Sequence, residues 1–521
     1  MLLSQLDLFV VAFYVIVLIG LATWISRERP DHEKNTEDYF LAGKNLPWWA
    51  IGASLIAANI SAEQIIGMSG SGYAIGLAIA SYEWMAAITL VLVGKYLLPI
   101  FLKNNIITMP QYLEQRFNTS VKTILALFWL GVYIFVNLTA VLWLGGLAIQ
   151  TVSGVDWLYG MIFLALFSLA YSLYGGLKAV ALTDIIQVVL LIFGGLFLCY
   201  LGLQAVSNGE GVMAGLGVLS SELPDKFDMI LSQDNPHYMS LPGISVLIGG
   251  MWIMNISYWG FNQYIIQRAL AAKDLAEAQK GIAFAAYLKL LMPIIVVLPG
   301  ITALILFPNL DTPDQAYPSM MSLMPSGIKG LVFAALVAAI VSSLASMTNS
   351  ISTIFTMDLY KKMRPQHSQT HYVWVGRLAT LSALCIALIV AEPLLGKFDQ
   401  AFQYIQEFTG FFTPGIVVIF LMGMFWRQAS SAGALAAALG SAVLSLLAKL
   451  YWVELPFIDR VGLVFLACLG ICYVVSILKP DARATDQSVA VDRSDFTTNS
   501  AFNMAAIGVT LILIALYATW W

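Results

Sequence analysis

Residues 57–64 read Ala57-Ala58-Asn59-Ile60-Ser61-Ala62-Glu63-Gln64, and Gly67, Gly70 and Gly72 follow. The stretch sits in the middle of an apolar run. Two amides, a hydroxyl and a carboxylate at that depth read as a membrane helix interrupted near its centre. A second run contains Asn255-Ile256-Ser257-Tyr258-Trp259-Gly260 and reads as interrupted there. The shared Asn-Ile-Ser is made of common residues and weighs little by itself. Its place near the middle of two corresponding runs weighs more. Discontinuous helices at matching positions in two halves are the pattern of secondary transporters built from inverted repeats, whose unwound backbone and half-helix ends hold ligands near the bilayer midplane.

Composition agrees with this reading. The chain has 521 residues, 60% hydrophobic and 11% charged. Soluble domains carry roughly 25% charged residues, which argues against a soluble enzyme, a disordered chain and a nucleic-acid binder. The apolar runs reach about 20 residues, the length of a membrane helix. They predict an all-α integral membrane protein of about fourteen spans: 6–26, 47–72, 79–102, 121–150, 157–174, 180–206, 243–267, 276–307, 326–358, 373–392, 398–425, 430–452, 457–478 and 501–521. The first run has no basic segment before Leu2 and no small-residue cleavage site after it, so it is expected to stay as a span. Lys and Arg concentrate in alternate loops, from Arg27 to Lys44, at Lys103, Arg116, Lys361, Lys362 and Arg427. The opposite loops hold Lys226, Lys329, Lys397, Lys449 and Arg460. The positive-inside rule then predicts both termini outside, in a chain expected to be a multi-pass protein of the plasma (bacterial inner) membrane. The expected organisation is a first span with its cytoplasmic loop (1–46), a repeat of spans 2–6 (47–206), an extracellular loop (207–242), a repeat of spans 7–11 (243–426) and three added spans (427–521).

Ionisable groups inside spans are costly and functional by default. Glu63, Glu83, Asp184, Lys289 and Glu407 are such groups. Lys289 lies nine residues past Lys280, about 13 Å deeper at 1.5 Å per residue, too far to snorkel fully. It is either a paired, functional lysine or part of a wet cavity wall. Tyr82-Glu83-Trp84 sets a carboxylate between two aromatic rings, which suits a sugar; an interfacial aromatic belt is the other reading. Tyr258 and Trp259 lie too deep for a belt. Gln64, Asn255 and Gln406 are mid-span amides that both donate and accept, either to a polyhydroxylated ligand or between helices.

An unwound segment at Ala57 and Ile60 frees carbonyls, and Ser342 and Ser343 offer hydroxyls. Neutral oxygens of this kind suit Na⁺ better than Ca²⁺, although small residues at such spacing also serve close helix packing. His367 and His371 lack further metal ligands, and the four cysteines lie in apolar runs without ligand spacing. No Walker A sequence and no Ser/His/Asp grouping is present, so an ATP-driven pump or an enzyme is not expected.

These residues resemble the sodium:solute symporter family, in its sugar-cotransporting branch. The likeness runs nearly the full length. It is dense in Asp38–Lys44, Ser54–Trp84, Tyr174-Gly175-Gly176-Leu177, Tyr258–Arg268, Ala338–Ser346 and Phe402–Gly410. The resemblance implies the leucine-transporter fold of two five-helix inverted repeats, with one span before and three after. It implies Na⁺-coupled symport of a neutral hexose, galactose or glucose, by alternating access. Gln64, Glu83, Asn255, Lys289 and Gln406 would bond the sugar, and Tyr258 would stack on it with Trp259 beside. Met68, Tyr82 and Phe402 would form an outer gate and Tyr258 an inner one. Na⁺ would lie between the carbonyls of Ala57, Ile60 and Ala339 and the hydroxyls of Ser342 and Ser343, with Asp184 on its exit path. A galactose-transporting bacterial branch of the family has serine where this chain has Ala86, so one hydroxyl contact is missing. The alternatives are a symporter of the same family for sialic acid or an amino acid, and a passive sugar facilitator. The pairing of Glu83 with Lys289 favours a neutral ligand over an anion. The partners expected are the sugar, sodium and the lipid bilayer; the sequence leaves monomer against homodimer open.

Overall fold

In hydrocarbon every backbone polar group needs an internal partner, which leaves helices and closed barrels, and apolar runs of about 20 residues fit the helix. The computed structural model describes residues 3–26, 46–106, 109–174, 177–396, 400–488 and 491–521, and each expected span is met there by helix. Among the described residues, nine helices are long and apolar enough to cross a membrane, or up to eleven when two bent pairs are each taken as one span. Gln5–Ser26, Trp157–Tyr174 and the interrupted stretch 245–270 fall short of that measure over their described residues. The chain is a multi-pass membrane protein. Among the described residues the sole β pairing is an isolated parallel bridge from Leu46 to Ala272, which ties the start of span 2 to the end of span 7.

Span 2 breaks where expected. Trp48–Asn59 ends at Ile60, whose backbone is extended (φ −72°, ψ 101°). A π-helical turn, Glu63–Gly67, then leads into Met68–Ala74, and the two halves diverge by 66°.

Span 7 departs from expectation. Its Asn255-Ile256-Ser257 stays helical: Gly250–Ile256 runs into a π-turn, Ser257–Phe261, and the chain first becomes extended at Asn262 (φ −81°, ψ 120°). The physical difference is the amide's partner. Asn255 Nδ2 donates 3.1 Å back to the carbonyl of Met251 one turn earlier, which leaves the helix intact. A second bent pair was not anticipated. Ala401–Thr409 and Thr413–Phe425 of span 11 diverge by 46° across Gly410-Phe411-Phe412. The stretch 207–242, expected as loop, contains the helix Val212–Glu222, whose Val212, Leu216 and Leu219 cover Cys199, Leu203 and Val206.

Span 8, Leu275–Leu306, packs against both halves of span 2 and against spans 3 and 6. Close approach is carried by glycine. A Cβ on Gly281 would lie 2.9 Å from the Trp48 carbonyl, one on Gly52 2.7 Å from the Gly281 carbonyl, and one on Gly300 would strike the Ser69 carbonyl. Gly281 thus seats the first half of span 2 and Gly300 the second. Lys289 falls between them, opposite the break. The added spans Ser431–Tyr451 and Phe457–Leu478 pack on each other and on Thr413–Phe425. The buried guanidinium of Arg116 donates to the carbonyls of Gly423, Trp426, Arg427, Ala429 and Ala484, so it fastens the end of span 11 to the segment after span 13. Nearby, Glu114 is held down at about 2: burial raises its pKa, but hydrogen bonds and charge from Lys122 and Lys362 outweigh that.

Candidate functional site

The breaks in spans 2, 7 and 11 surround a cavity of about 100 Å³. Gln64, Tyr82, Glu83, Asn255, Tyr258, Trp259, Lys289 and Gln406 all line it, so the eight residues expected to hold substrate converge on one space. Lys289 is fully buried. Its ammonium lies 2.5 Å from Glu83 Oε2, also donates to Asn59 Oδ1, and sits 5.0 Å from the centre of the Trp259 ring. Glu83 Oε1 accepts from Gln64 Nε2 at 3.1 Å. A charge this deep costs several kcal/mol unless paired and hydrogen-bonded, and here both partners are. Gln64 Oε1 and Tyr82 Oη are buried without a partner, an acceptor and a hydroxyl left for something else in the cavity.

The cavity's two aromatic ends differ. Tyr82 meets Phe402 edge-on with ring centres 5.1 Å apart. Met68 is buried and is not among the lining residues. At the other end Tyr258 packs edge-on against Trp259 at 5.1 Å, and its hydroxyl is fixed twice, by Asn59 Nδ2 at 3.0 Å and by the Tyr264 hydroxyl at 3.0 Å. Tyr133 donates 3.1 Å to Asn262 Oδ1, the extended residue of span 7.

A second, smaller cavity is lined by Ala57, Ser342 and Ser343. Ala339, Ser342 and Ser343 are buried on Ile328–Thr353 at i, i+3, i+4 spacing, one face of the helix. Ile60 and Ala339, also expected around a cation, are not among the residues lining this cavity. Ile60 supplies the extended backbone that ends Trp48–Asn59. Arg268, which was not anticipated, lines it as well and donates 3.1 Å to Ser54 Oγ and to the Tyr264 carbonyl. The side chain of Asp184 lies outside the described residues.

One candidate stands elsewhere, and one residue outside the candidates belongs to the site. Glu407 does not line the main cavity. It accepts from Lys449 at 2.7 Å and Arg460 at 3.4 Å, which belong to spans 12 and 13. Asn59 lies in the stretch that decided the fold yet was not assigned to the site, although it joins Lys289 to Tyr258. Its signal was the same as that of Gln64, an amide at mid-span depth. Glu63 and Asn137 also line the cavity.

Residues 39–440 match the Sodium:solute symporter family. The chain is 51% identical to a protein named Sodium/glucose cotransporter from Vibrio parahaemolyticus, over 100% of this chain and 99% of that one. It is 34% identical to Sodium/myo-inositol cotransporter 2 of Bos taurus, over 82% of this chain and 67% of the relative. A solved Na⁺-coupled sialic acid symporter, substrate-bound and outward-open, superposes with a TM-score of 0.77 at 22% identity, covering 91% of this chain and 98% of the other.

Proposed function

Because the chain belongs to the sodium:solute symporter family and has the leucine-transporter fold, we propose that it couples Na⁺ entry to uptake of a neutral hexose, glucose or galactose. The observation that carries the reading is the main cavity. It sets the internally neutralised Glu83–Lys289 pair, the amides of Gln64, Asn255 and Gln406 and the rings of Tyr258 and Trp259 around one space. The amides and the pair's free lone pairs and protons suit hydroxyl groups, and the Tyr258 ring suits the C–H face of a pyranose. Because Lys289 is already matched by Glu83, an anionic solute finds no spare cation. The 51% identity to a sodium/glucose cotransporter supports the same substrate class.

In this reading Gln64, Glu83, Asn255, Lys289 and Gln406 bond the sugar. Tyr82 and Phe402, backed by Met68, close the outer path, and Tyr258 with Trp259 closes the inner one. The coupling ion lies between spans 2 and 9, held by the carbonyls of Ala57, Ile60 and Ala339 and the hydroxyls of Ser342 and Ser343. A guanidinium in the same wall raises the electrostatic cost of holding a cation there, which fits an ion that is bound and released in each cycle. Asp184 lies on its way to the cytoplasm, and both termini face outward.

Asn59 gives the coupling a physical route. It follows Ala57, precedes Ile60, and bonds both Lys289 and Tyr258. An ion that orders residues 57–60 therefore also orders the sugar-binding lysine and the inner aromatic. A ligand shifts such an equilibrium only by its differential affinity for the two states. One Na⁺ with a neutral sugar carries one net charge, driven by about 2.3 kcal/mol per 100 mV.

The test is uptake of labelled glucose, galactose and myo-inositol into proteoliposomes under an inward Na⁺ gradient or a matched K⁺ gradient. The expected result is accumulation of a hexose above the outside concentration with Na⁺ alone, accompanied by inward current. Equilibration regardless of cation would mean a facilitator, and accumulation of myo-inositol alone would move the substrate to a cyclic polyol.

A further inference from the structure

We propose that the hexose cavity also takes a cationic monoamino hexose, with its ammonium seated against the carboxylate of Glu63; the inference rests on the hexose reading above. Among the described residues, three charge-bearing side chains line the cavity: Glu63, Glu83 and Lys289. The lysine's charge is matched at 2.5 Å by Glu83, with Asn59 as a second acceptor and one proton left for a hydroxyl. Glu83's second oxygen is taken by Gln64. Glu63 is more than nine-tenths buried, and its carboxylate receives one long hydrogen bond, 3.4 Å from Gln406 Nε2. With the pair neutral, an ionised Glu63 leaves the cavity one negative charge in excess.

A buried carboxylate is stabilised by a cation that brings its own donors. An ammonium on the ligand has three. It has a place to go: Gln406, already assigned to the sugar, touches Glu63, so a ring substituent beside that amide is within reach of the carboxylate. Gln64 Oε1 and Tyr82 Oη, both more than nine-tenths buried and unpartnered in the same wall, remain for the ring's hydroxyls. The same charge count rejects a uronic acid, whose carboxylate would face Glu63 with no free cation.

The test uses the full chain in proteoliposomes with labelled glucose under an inward Na⁺ gradient. Competitors are 2-amino-2-deoxyglucose, 3-amino-3-deoxyglucose, 6-amino-6-deoxyglucose and glucuronate. Each amine is measured about one unit below and above its own titrated pKa, glucuronate is measured at the same pH values, and every competitor is expressed relative to unlabelled glucose at the same pH. At least one amino sugar is expected to compete about tenfold better when protonated, a difference of about 1.4 kcal/mol. Glucuronate is expected not to compete. Glu63→Gln should bring that pH contrast to within about twofold. A flat ratio for all three amines in the wild type, effective competition by glucuronate, or a contrast unchanged in Glu63→Gln would overturn the proposal. The wild-type contrast decides alone if the variant does not fold. Absence of Na⁺-dependent glucose uptake in the same vesicles would instead defeat the hexose reading.

Discussion

Asn-Ile-Ser occurs at the middle of spans 2 and 7, and the two copies do opposite things. At 59–61 the chain leaves the helix within the tripeptide, and the Asn59 amide is used across helices, on Lys289 and Tyr258. At 255–257 the helix continues, the Asn255 amide turns back on Met251, and the break waits until Asn262. The tripeptide therefore does not specify a break. What decides is whether long-range partners are available to replace the helix's own hydrogen bonds. For span 2 they come from spans 7 and 8, and for Asn262 from Tyr133 of span 4.

The largest effect is expected on the partner that makes the span 2 break possible. Lys289→Ala leaves Glu83 buried without its cation, a loss of about 3–5 kcal/mol for a broken buried pair. Uptake should vanish and thermal stability should fall, read by a melting curve on purified protein. An unchanged melting curve would mean the pair is not held in the folded protein. Asn59→Ala comes next. It removes one acceptor from a charged donor, worth about 1.5–3 kcal/mol, and one bond to Tyr258. Sugar affinity should fall by more than about tenfold, and the Na⁺ dependence of uptake should flatten with it. Asn255→Ala, the same change in the other copy, should cost about 1 kcal/mol of sugar binding and leave the Na⁺ dependence intact. If the two alanine variants behave alike, the contrast between the breaks has no functional content. The smallest effect is expected at Ala86, which lines the cavity. Ala86→Ser restores one hydroxyl and should tighten sugar binding by about 0.5–1.5 kcal/mol, read as a change in the galactose-to-glucose ratio of competition constants.

Much of this site was legible because the bilayer makes polar residues conspicuous. Glu83, Lys289, Gln64, Asn255 and Gln406 stand out in apolar runs, and the structure brings all five to one cavity. The span 2 break was legible for the same reason. What escaped notice depends on partners far away in sequence. The span 7 break moved six residues because Asn255 satisfies itself locally. Glu407 stands out in sequence as an intramembrane carboxylate, but its partners are Lys449 and Arg460 of the added spans. Arg268, near the end of span 7, gives no sign in sequence that it shares a wall with Ser342 and Ser343. The span 11 bend did leave a trace, Gly410 with Pro414 four residues on, a pairing that disfavours continuous helix.

In the proposed cycle the small cavity and the large one act on each other through residues 57–60. The most direct measurement is the equilibrium affinity of purified protein for glucose with Na⁺ and with K⁺, in the wild type and in Ser343→Ala. Thermodynamic reciprocity requires that an ion which tightens sugar binding be itself bound more tightly with sugar present. Sugar is expected to bind at least about tenfold tighter in Na⁺, a coupling of about 1.4 kcal/mol, with most of that difference lost in Ser343→Ala. Equal sugar affinity in Na⁺ and K⁺, or a full Na⁺ effect in the variant, would contradict that coupling.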